Sequence, residues 1–321
     1  MIKKILMVII IIVAIVFVFN NFIGSKHSEV FETSEELYSV MAEDILDFKK
    51  VATYKVSQPI NSISYNQIIN YATQEDNVAG NCLYWMTWTT KQKGDHFEIT
   101  CRYKYYVSKH QYKKVCKMAK TIVKDIGILS DYGKIKVVHD YLIETNNYNI
   151  GSDGPYRALY KGQSNCNGYA LSFMAIMREC GIETTYETGD NHAWNSVKLD
   201  GQWYNIDVTW DDSGVWDKEG GTRYDYFLRG NSDWSGHHHG NATAKSKYTT
   251  TEKIDVKLKN YKLMLFLRNL VGIIMIVTII IIINNKIKKH FKNKKFESKT
   301  IPLPSNINNT NITDDDIVCG K

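Results

Sequence analysis

Cys166, His192 and Asp207 are the residues of this chain whose types and spacing suit acyl transfer. Cys166 stands in Gln163-Ser164-Asn165-Cys166-Asn167-Gly168-Tyr169-Ala170, and Leu171, Met174, Ala175 and Met177 follow at helical spacing. The pattern predicts a helix over 167–179, stopped at Gly181, with the thiol at its N-terminus. Unpaired amides and the helix dipole there favour an anion, which activates a thiol and offers donors to an oxyanion. A lone cysteine is more often buried and inert, so the chemistry depends on partners.

The partners come from a hairpin. Asp200-Gly201 is a two-residue turn signal between 193–199 and 202–209, and it sets opposed residues at numbers summing to 401. His192 then faces Thr209, Trp194 faces Asp207, and His192 and Asp207 share a face as diagonal neighbours, about 7–8 Å apart at Cα. Ala193, Val197, Leu199, Tyr204, Ile206 and Val208 fall on the opposite face, which reads as the core side. Thiol, imidazole and carboxylate in this order supply a nucleophile, its base and the group that orients the base.

These stretches resemble a known family. Ser164–Ala170, His192-Ala193-Trp194-Asn195 and Trp203–Asp212 look like the three signature blocks of bacterial transglutaminase-like proteins. Lys134–Asn149 resembles the helix and tyrosine that precede the cysteine loop there. Tyr226-Phe227-Leu228 with a following histidine cluster resembles the closing strand, so the likeness covers roughly 100–240. It implies an α+β, papain-like fold, with the cysteine on a central helix packed on an antiparallel sheet that carries His and Asp. The family includes protein cross-linkers, peptidases and members without demonstrated activity. A thioester enzyme acting on a protein or peptide, with the cell wall as one setting, therefore stands beside a non-catalytic adhesion or scaffold module. The oxyanion donor is expected just upstream of the cysteine, at Gln163 or else Tyr160. Trp194 and Trp203 either line the acyl cleft or pack as ordinary aromatics.

No cofactor and no metal are expected. His237-His238-His239 lies among glycines without a carboxylate or cysteine at metal spacing, and Asp211, Asp212 and Asp217 lack the alternation of a calcium loop. His139-Asp140 reads as a helix pair. Cys82 and Cys101 flank strand-like stretches and are a candidate disulfide, and the chain has no C-x-x-C pair.

Around this core, Thr33-Ser34-Glu35-Glu36 starts a helix with Leu37, Val40, Met41, Ile45 and Leu46 on one face, and 65–72 is a second helix. Residues 83–89 and 96–107 read as strands, 108–126 and 134–144 as helices, and 146–165 as a loop. That order suits an α+β domain.

Two apolar runs bracket everything. Residues 5–23 follow Lys3 and Lys4; 263–283 precede Lys286, Lys288, Lys289, Lys292, Lys294, Lys295 and Lys299. Each matches the roughly 17–25 residues that cross a bilayer as helix. The first is long for a cleavable signal and reads as an anchor. Lysines at both outer flanks place both termini in the cytoplasm and the domain outside. Between 24 and 262 there are 29 Lys+Arg against 30 Asp+Glu, which argues against a nucleic-acid partner. The expected organisation is an anchor at 1–23, an α+β region at 24–107 and a catalytic core at 108–240. A linker at 241–262, a second span at 263–283 and a basic, then polar, tail at 284–321 complete it.

Overall fold

The computed structural model describes residues 24–60, 62–215, 221–234 and 242–297. The first apolar run, the 237–239 histidines, Asp217 and the tail from 298 lie outside the described residues. Residues up to Lys262 form one compact unit, and those from Leu263 belong to a second.

The first part of the larger unit is a four-stranded sheet with helices on it. Its elements are β1 (Ser25–Phe31), α1 (Ser34–Leu46), β2 (Val51–Val56), α2 (Tyr65–Glu75), α3 (Asn77–Asn81), β3 (Leu83–Lys93) and β4 (His96–Tyr105). The order is β1-β2-β4-β3, with β1 parallel to β2 and the other pairs antiparallel. The α1 start is a capping box: Glu36 N–H donates to Thr33 Oγ1 at 3.2 Å and Thr33 N–H to Glu36 Oε2 at 3.3 Å. Leu37, Met41 and Ile45 pack against Tyr54, Ile99 and Cys101 of the sheet. A buried carboxylate in this core, Asp44, is satisfied by Tyr54 Oη at 2.7 Å and His27 Nε2 at 2.8 Å. Sequence reading passed over β1 and β2, although β2 alternates buried and half-buried residues along its whole length.

The second part contains α4 (Lys109–Ile126), α5 (Asp131–Thr145), β5 (Asn147–Tyr148), α6 (Pro155–Lys161), β6 (Gln163–Ser164), α7 (Cys166–Glu179), β7 (Thr184–Gly189), β8 (His192–Leu199) and β9 (Gln202–Ile206). The expected loop over 146–165 is structured. Pro155 opens α6 at the position where its missing N–H costs nothing, and Gly162 ends it in the left-handed region. α7 is buried on nearly every side from Cys166 to Met177, as a central helix must be. β7, β8 and β9 form an antiparallel sheet.

The β8–β9 ladder has the expected register: Leu199 pairs with Gln202 and Asn195 with Ile206. Asp200 and Gly201 take φ of 49° and 77°, the backbone of a tight hairpin turn. Both faces of the sheet are covered, however. Trp194, Ser196, Asn205 and Asp207, on the face read as open, are buried. The segment 221–234 bridges the edge beside β9, where Asn205 and Arg229 exchange backbone hydrogen bonds of 2.8 Å, and brings Trp234 to Trp194 at 6.5 Å.

Residues 242–262, read as a linker, pack on this unit. Thr243 N–H donates to Trp203 O at 3.0 Å, Ser130 Oγ to Glu252 at 2.6 Å and Tyr261 Oη to Asp125 at 2.6 Å. The final helix, α8 (Tyr261–Glu297), includes one segment long and apolar enough to cross a membrane, Phe266–Lys288. Its 23 residues span about 35 Å as helix.

Candidate active site

Cys166 is the first residue of α7, and Asn165 is its N-cap. Asn165 Oδ1 accepts from Gly168 N–H at 3.4 Å, its Nδ2 donates to Asp153 Oδ1, and its own N–H donates to Ser152 O at 2.9 Å. The cap is thus fixed from the 152–153 loop, and the thiol with it. Gly168 allows the helix to sit there, because a Cβ at this position would fall 2.8 Å from Gly154 O and on top of Ser164 Oγ. The thiol packs with Ala170, Ala193 and Tyr186 and is 6% exposed.

His192 opens β8 directly after a second tight turn. Gly189 pairs with His192, and Asp190 and Asn191 between them have φ of 50° and 59°. Both central residues are therefore left-handed, a geometry that Asn and Asp tolerate better than other side chains. The turn aims the imidazole at the start of α7.

Asp207 follows the last residue of β9. The ladder was expected to continue to Thr209 opposite His192; it ends at Ile206. Asp207 N–H instead donates to Tyr226 O at 3.1 Å, and the chain turns so that Asp211 N–H donates back to Asp207 O at 3.1 Å. Buried polar groups of the turn dictate this departure. Asp207 Oδ1 accepts from Thr209 N–H at 2.9 Å and Trp210 N–H at 3.0 Å, leaving Oδ2 for His192 Nε2 at 2.6 Å. With Nε2 committed, Nδ1 is the ring nitrogen that remains for Cys166. Burial opposes a charge on His192, but hydrogen bonds to Asp207 and Cys166, and their negative charge, raise it from 6.5 to about 9.

The imidazole is stacked between two indoles. Trp194 lies at 6.0 Å and 18°, Trp210 at 5.2 Å and 29°. Two aromatic faces favour the protonated ring. Trp194, being 2% exposed, backs His192 and does not line an open surface. Trp210 was missed in the sequence, where it is one more aromatic in a turn; only the fold brings it over the ring.

Trp203 and Tyr160 fall elsewhere, while Gln163 stays three residues before the thiol. Trp203 pairs with Lys198 near the Asp200-Gly201 turn, six positions along β8 from His192 and about 20 Å away. Tyr160 Oη donates to Lys114 O on α4 at 2.9 Å, and its ring stacks on Tyr156. Gln163 is exposed on β6, paired with Asn147. Tyr148, on the strand beside it, is within electrostatic reach of Cys166 and Asp207; burial first, then their charges, raises its pKa. Cys82 and Cys101 are not bonded: Cys101 lies opposite Trp88, while Cys82 precedes Leu83, which lies near Tyr105 at the other end of the ladder. Among the described residues no group of three His, Cys, Asp or Glu is arranged to hold a metal.

A cleft of about 640 Å³ opens at His192 and Asn167. Its far wall comes from the first sheet and α2, through Tyr65, Leu83 and Tyr84, and Tyr106 and Tyr186 complete it. The 24–107 region thus builds half of the cleft, which sequence periodicity does not reveal.

Comparison with known proteins agrees with this core. Residues 120–208 match the model of the Transglutaminase-like superfamily. Kyphoscoliosis peptidase of Mus musculus is 34% identical over 72 residues, and so is that of Homo sapiens. The match takes in 17% of this chain and 11% of each relative, so the chain spans about a tenth of their length. Among solved structures, a cysteine protease candidate of Cytophaga hutchinsonii is 14% identical, over 40% of this chain and 65% of the other, with a TM-score of 0.28. A TGase is 14% identical over 50% and 51%, with a TM-score of 0.29. The match to the Transglutaminase-like superfamily at residues 120–208 runs through both the cysteine-headed central helix and the histidine-bearing antiparallel sheet.

Proposed function

We propose that this chain is a membrane-anchored cysteine enzyme that acts on protein or peptide substrates through a thioester. The observation that carries the reading is the arrangement of Cys166 at the head of α7, with the His192 imidazole between the thiol and the Asp207 carboxylate. The thiol proton rests on His192 Nδ1, and Cys166 Sγ attacks the acyl carbon as the thiolate of that pair. Asp207 holds the ring by Nε2 and stabilises its charge. The tetrahedral oxyanion meets the Cys166 and Asn167 N–H groups at the head of α7, since Gly168 N–H is already bonded to Asn165. Collapse expels the leaving amine with the proton from His192 and leaves the acyl group on sulfur. Water then gives hydrolysis, and an amine gives transfer.

Retention of the His192 proton up to about 9 supports the step that needs an acid, since the ring keeps a proton for the leaving amine across neutral pH. The peptidase naming of the Mus musculus and Homo sapiens relatives supports the substrate class.

Anchoring is read from 5–23 and Phe266–Lys288, with the domain outside and both termini inside; the lysines at each outer flank support it. Protease added to intact cells should digest the domain and spare a tag at Lys321; the reverse pattern overturns the topology. For the chemistry, the full chain is treated with a thiol-directed acylating probe and Cys166 is weighed by mass spectrometry. An acyl adduct that disappears in His192→Ala supports the enzyme. An unreactive Cys166 in the folded protein overturns it and leaves the scaffold reading.

A further inference from the structure

A second histidine–carboxylate set lies behind the site. His139, on α5, is completely buried, and so is Asp211. His139 Nδ1 lies 2.9 Å from Asp140 Oδ1 and Nε2 lies 3.1 Å from Asp211 Oδ2. A neutral imidazole has one N–H, so with both carboxyls ionised the ring satisfies the oxygen at each nitrogen as the doubly donating imidazolium. The groups facing it are Asp140, Asp211, the Tyr224 ring at 5.5 Å, the Phe227 ring at 4.9 Å and, beyond Asp140, Lys136 at 2.6 Å from that carboxylate.

We propose that His139 is a positioning residue of the active site: through Asp211 it fixes the 207–211 turn where both the Asp207 carboxylate and the Trp210 ring reach His192. This rests on the reading of Cys166, His192 and Asp207 as the acyl-transfer set. The path is short. Asp211 Oδ2 is held by His139, and Oδ1 accepts from Tyr226 N–H at 2.8 Å. The Asp211 backbone accepts from Arg223 N–H at 2.8 Å and donates to Asp207 O at 3.1 Å. Asp207 N–H returns to Tyr226 O at 3.1 Å, and the Trp210 ring meets Tyr226 edge-on at 4.9 Å. One turn thus carries two groups that touch His192 at one end and the carboxylate clamped by His139 at the other. Burial works against both charges, yet the two carboxylates raise His139. The clamp is stiff because fully buried Asp211 would be left without its cation if His139 were removed, while Asp140 keeps Lys136.

The experiment is the pH profile of Cys166 alkylation by iodoacetamide, on the full chain and well below each variant's melting temperature. The parent profile should break where His192 loses its proton, near 9. His139→Phe fills the space without the clamp. It should move that break toward 6.5 and slow alkylation at neutral pH roughly tenfold. His139→Gln, which keeps one donor for Asp211, should fall between. Tyr169→Phe is the control: it removes the 2.6 Å bond to buried Asp212 on the same segment and should lower the melting temperature while leaving the break in place. A folded His139→Phe or His139→Gln with the parent's break overturns the proposal, as does Tyr169→Phe moving it equally. If His139→Phe does not fold, His139→Gln decides. A parent protein whose Cys166 does not alkylate at all sinks the acyl-transfer reading itself, a distinct result.

Discussion

The molecule holds two histidine–aspartate pairs on one turn, and they differ in what completes them. His192 and Asp207 are joined by a third group, the Cys166 thiol, and open onto a cleft; 14% of the His192 side chain is exposed. His139 and Asp211 are joined by a second carboxylate, Asp140, and neither side chain has any exposed surface. The pairs share residue types and similar distances, 2.6 and 3.1 Å. Access and the third partner separate chemistry from architecture. An imidazolium between a carboxylate and a thiol has a proton to exchange with substrate. One between two carboxylates, sealed under Tyr224 and Phe227, has nowhere to send it.

The contrast breaks most sharply at the open pair. Cys166→Ala should abolish thioester formation, and His192→Ala should slow it by roughly 10²–10⁴, the usual worth of a general base. Asp207→Asn should slow it less completely than Cys166→Ala, since the ring keeps a partner but loses the charge that stabilises imidazolium. The melting temperature of Cys166→Ala should stay near the parent's by circular dichroism, while His192→Ala should lose some stability because it leaves buried Asp207 without its cation. A variant that loses activity only by unfolding would erase the distinction between the pairs.

At the sealed pair the order of effects reverses. His139→Ala leaves Asp211 and Asp140 facing a cavity, and breaking a buried pair from one side costs about 3–5 kcal/mol. For a domain of this size that is a fall in melting temperature on the order of 10 °C. The same calorimetry on His192→Ala should show a smaller drop, because Asp207 keeps the Thr209 and Trp210 N–H donors and the vacated position reaches the cleft. Equal losses would mean that exposure does not separate the two sites.

The open pair was legible in the chain for a physical reason. A two-residue turn at Asp200-Gly201 fixes strand register, and register fixes which residues share an end of the sheet. The helix start was legible because Leu171, Met174, Ala175 and Met177 keep helical spacing, although Asn165 went unread as its cap. The sealed pair was not, because His139 and Asp211 lie 72 positions apart and only tertiary packing joins them. The same holds for Trp210 over His192 and for Tyr65 and Tyr84 across the cleft. The Asp190-Asn191 turn went unread for want of a glycine, although Asn and Asp suit its left-handed backbone. Trp203 stood as a cleft candidate beside ordinary packing, and the same register that found Asp207 puts it at the far end of the hairpin.

A smaller effect should appear in the pH dependence of stability. His192 is raised from 6.5 to about 9, so its protonated form is favoured in the folded state. A raised pKa gives stability that is complete below 6.5 and is lost as pH climbs through about 9. His139 is raised as well and adds to the fall in the same direction. Melting temperature should therefore decline between these limits. His192→Ala should remove part of the decline and leave the part that belongs to the sealed pair. A flat profile in the parent protein would contradict a charged ring at either site.

The smallest effect tests how far the sealing extends. Tyr224 lies outside His139, half-buried, with its ring stacked on the imidazole. Its hydroxyl donates to Asp140 at 3.0 Å and accepts from Lys136 Nζ at 2.7 Å. Tyr224→Phe keeps the ring and removes only the hydroxyl. Lys136 still reaches Asp140 directly, at 2.6 Å, so the carboxylate keeps a cation and His139 keeps both of its anions. Two hydrogen bonds at a half-buried position are then all that is lost, together about 1–3 kcal/mol. Chemical denaturation should show a drop of that size with an unchanged slope, and Cys166 alkylation should follow the parent's pH profile. A larger loss, or a shifted profile, would show that Tyr224 belongs to the clamp and does not merely cover it, and that the boundary between the two pairs lies further out than His139.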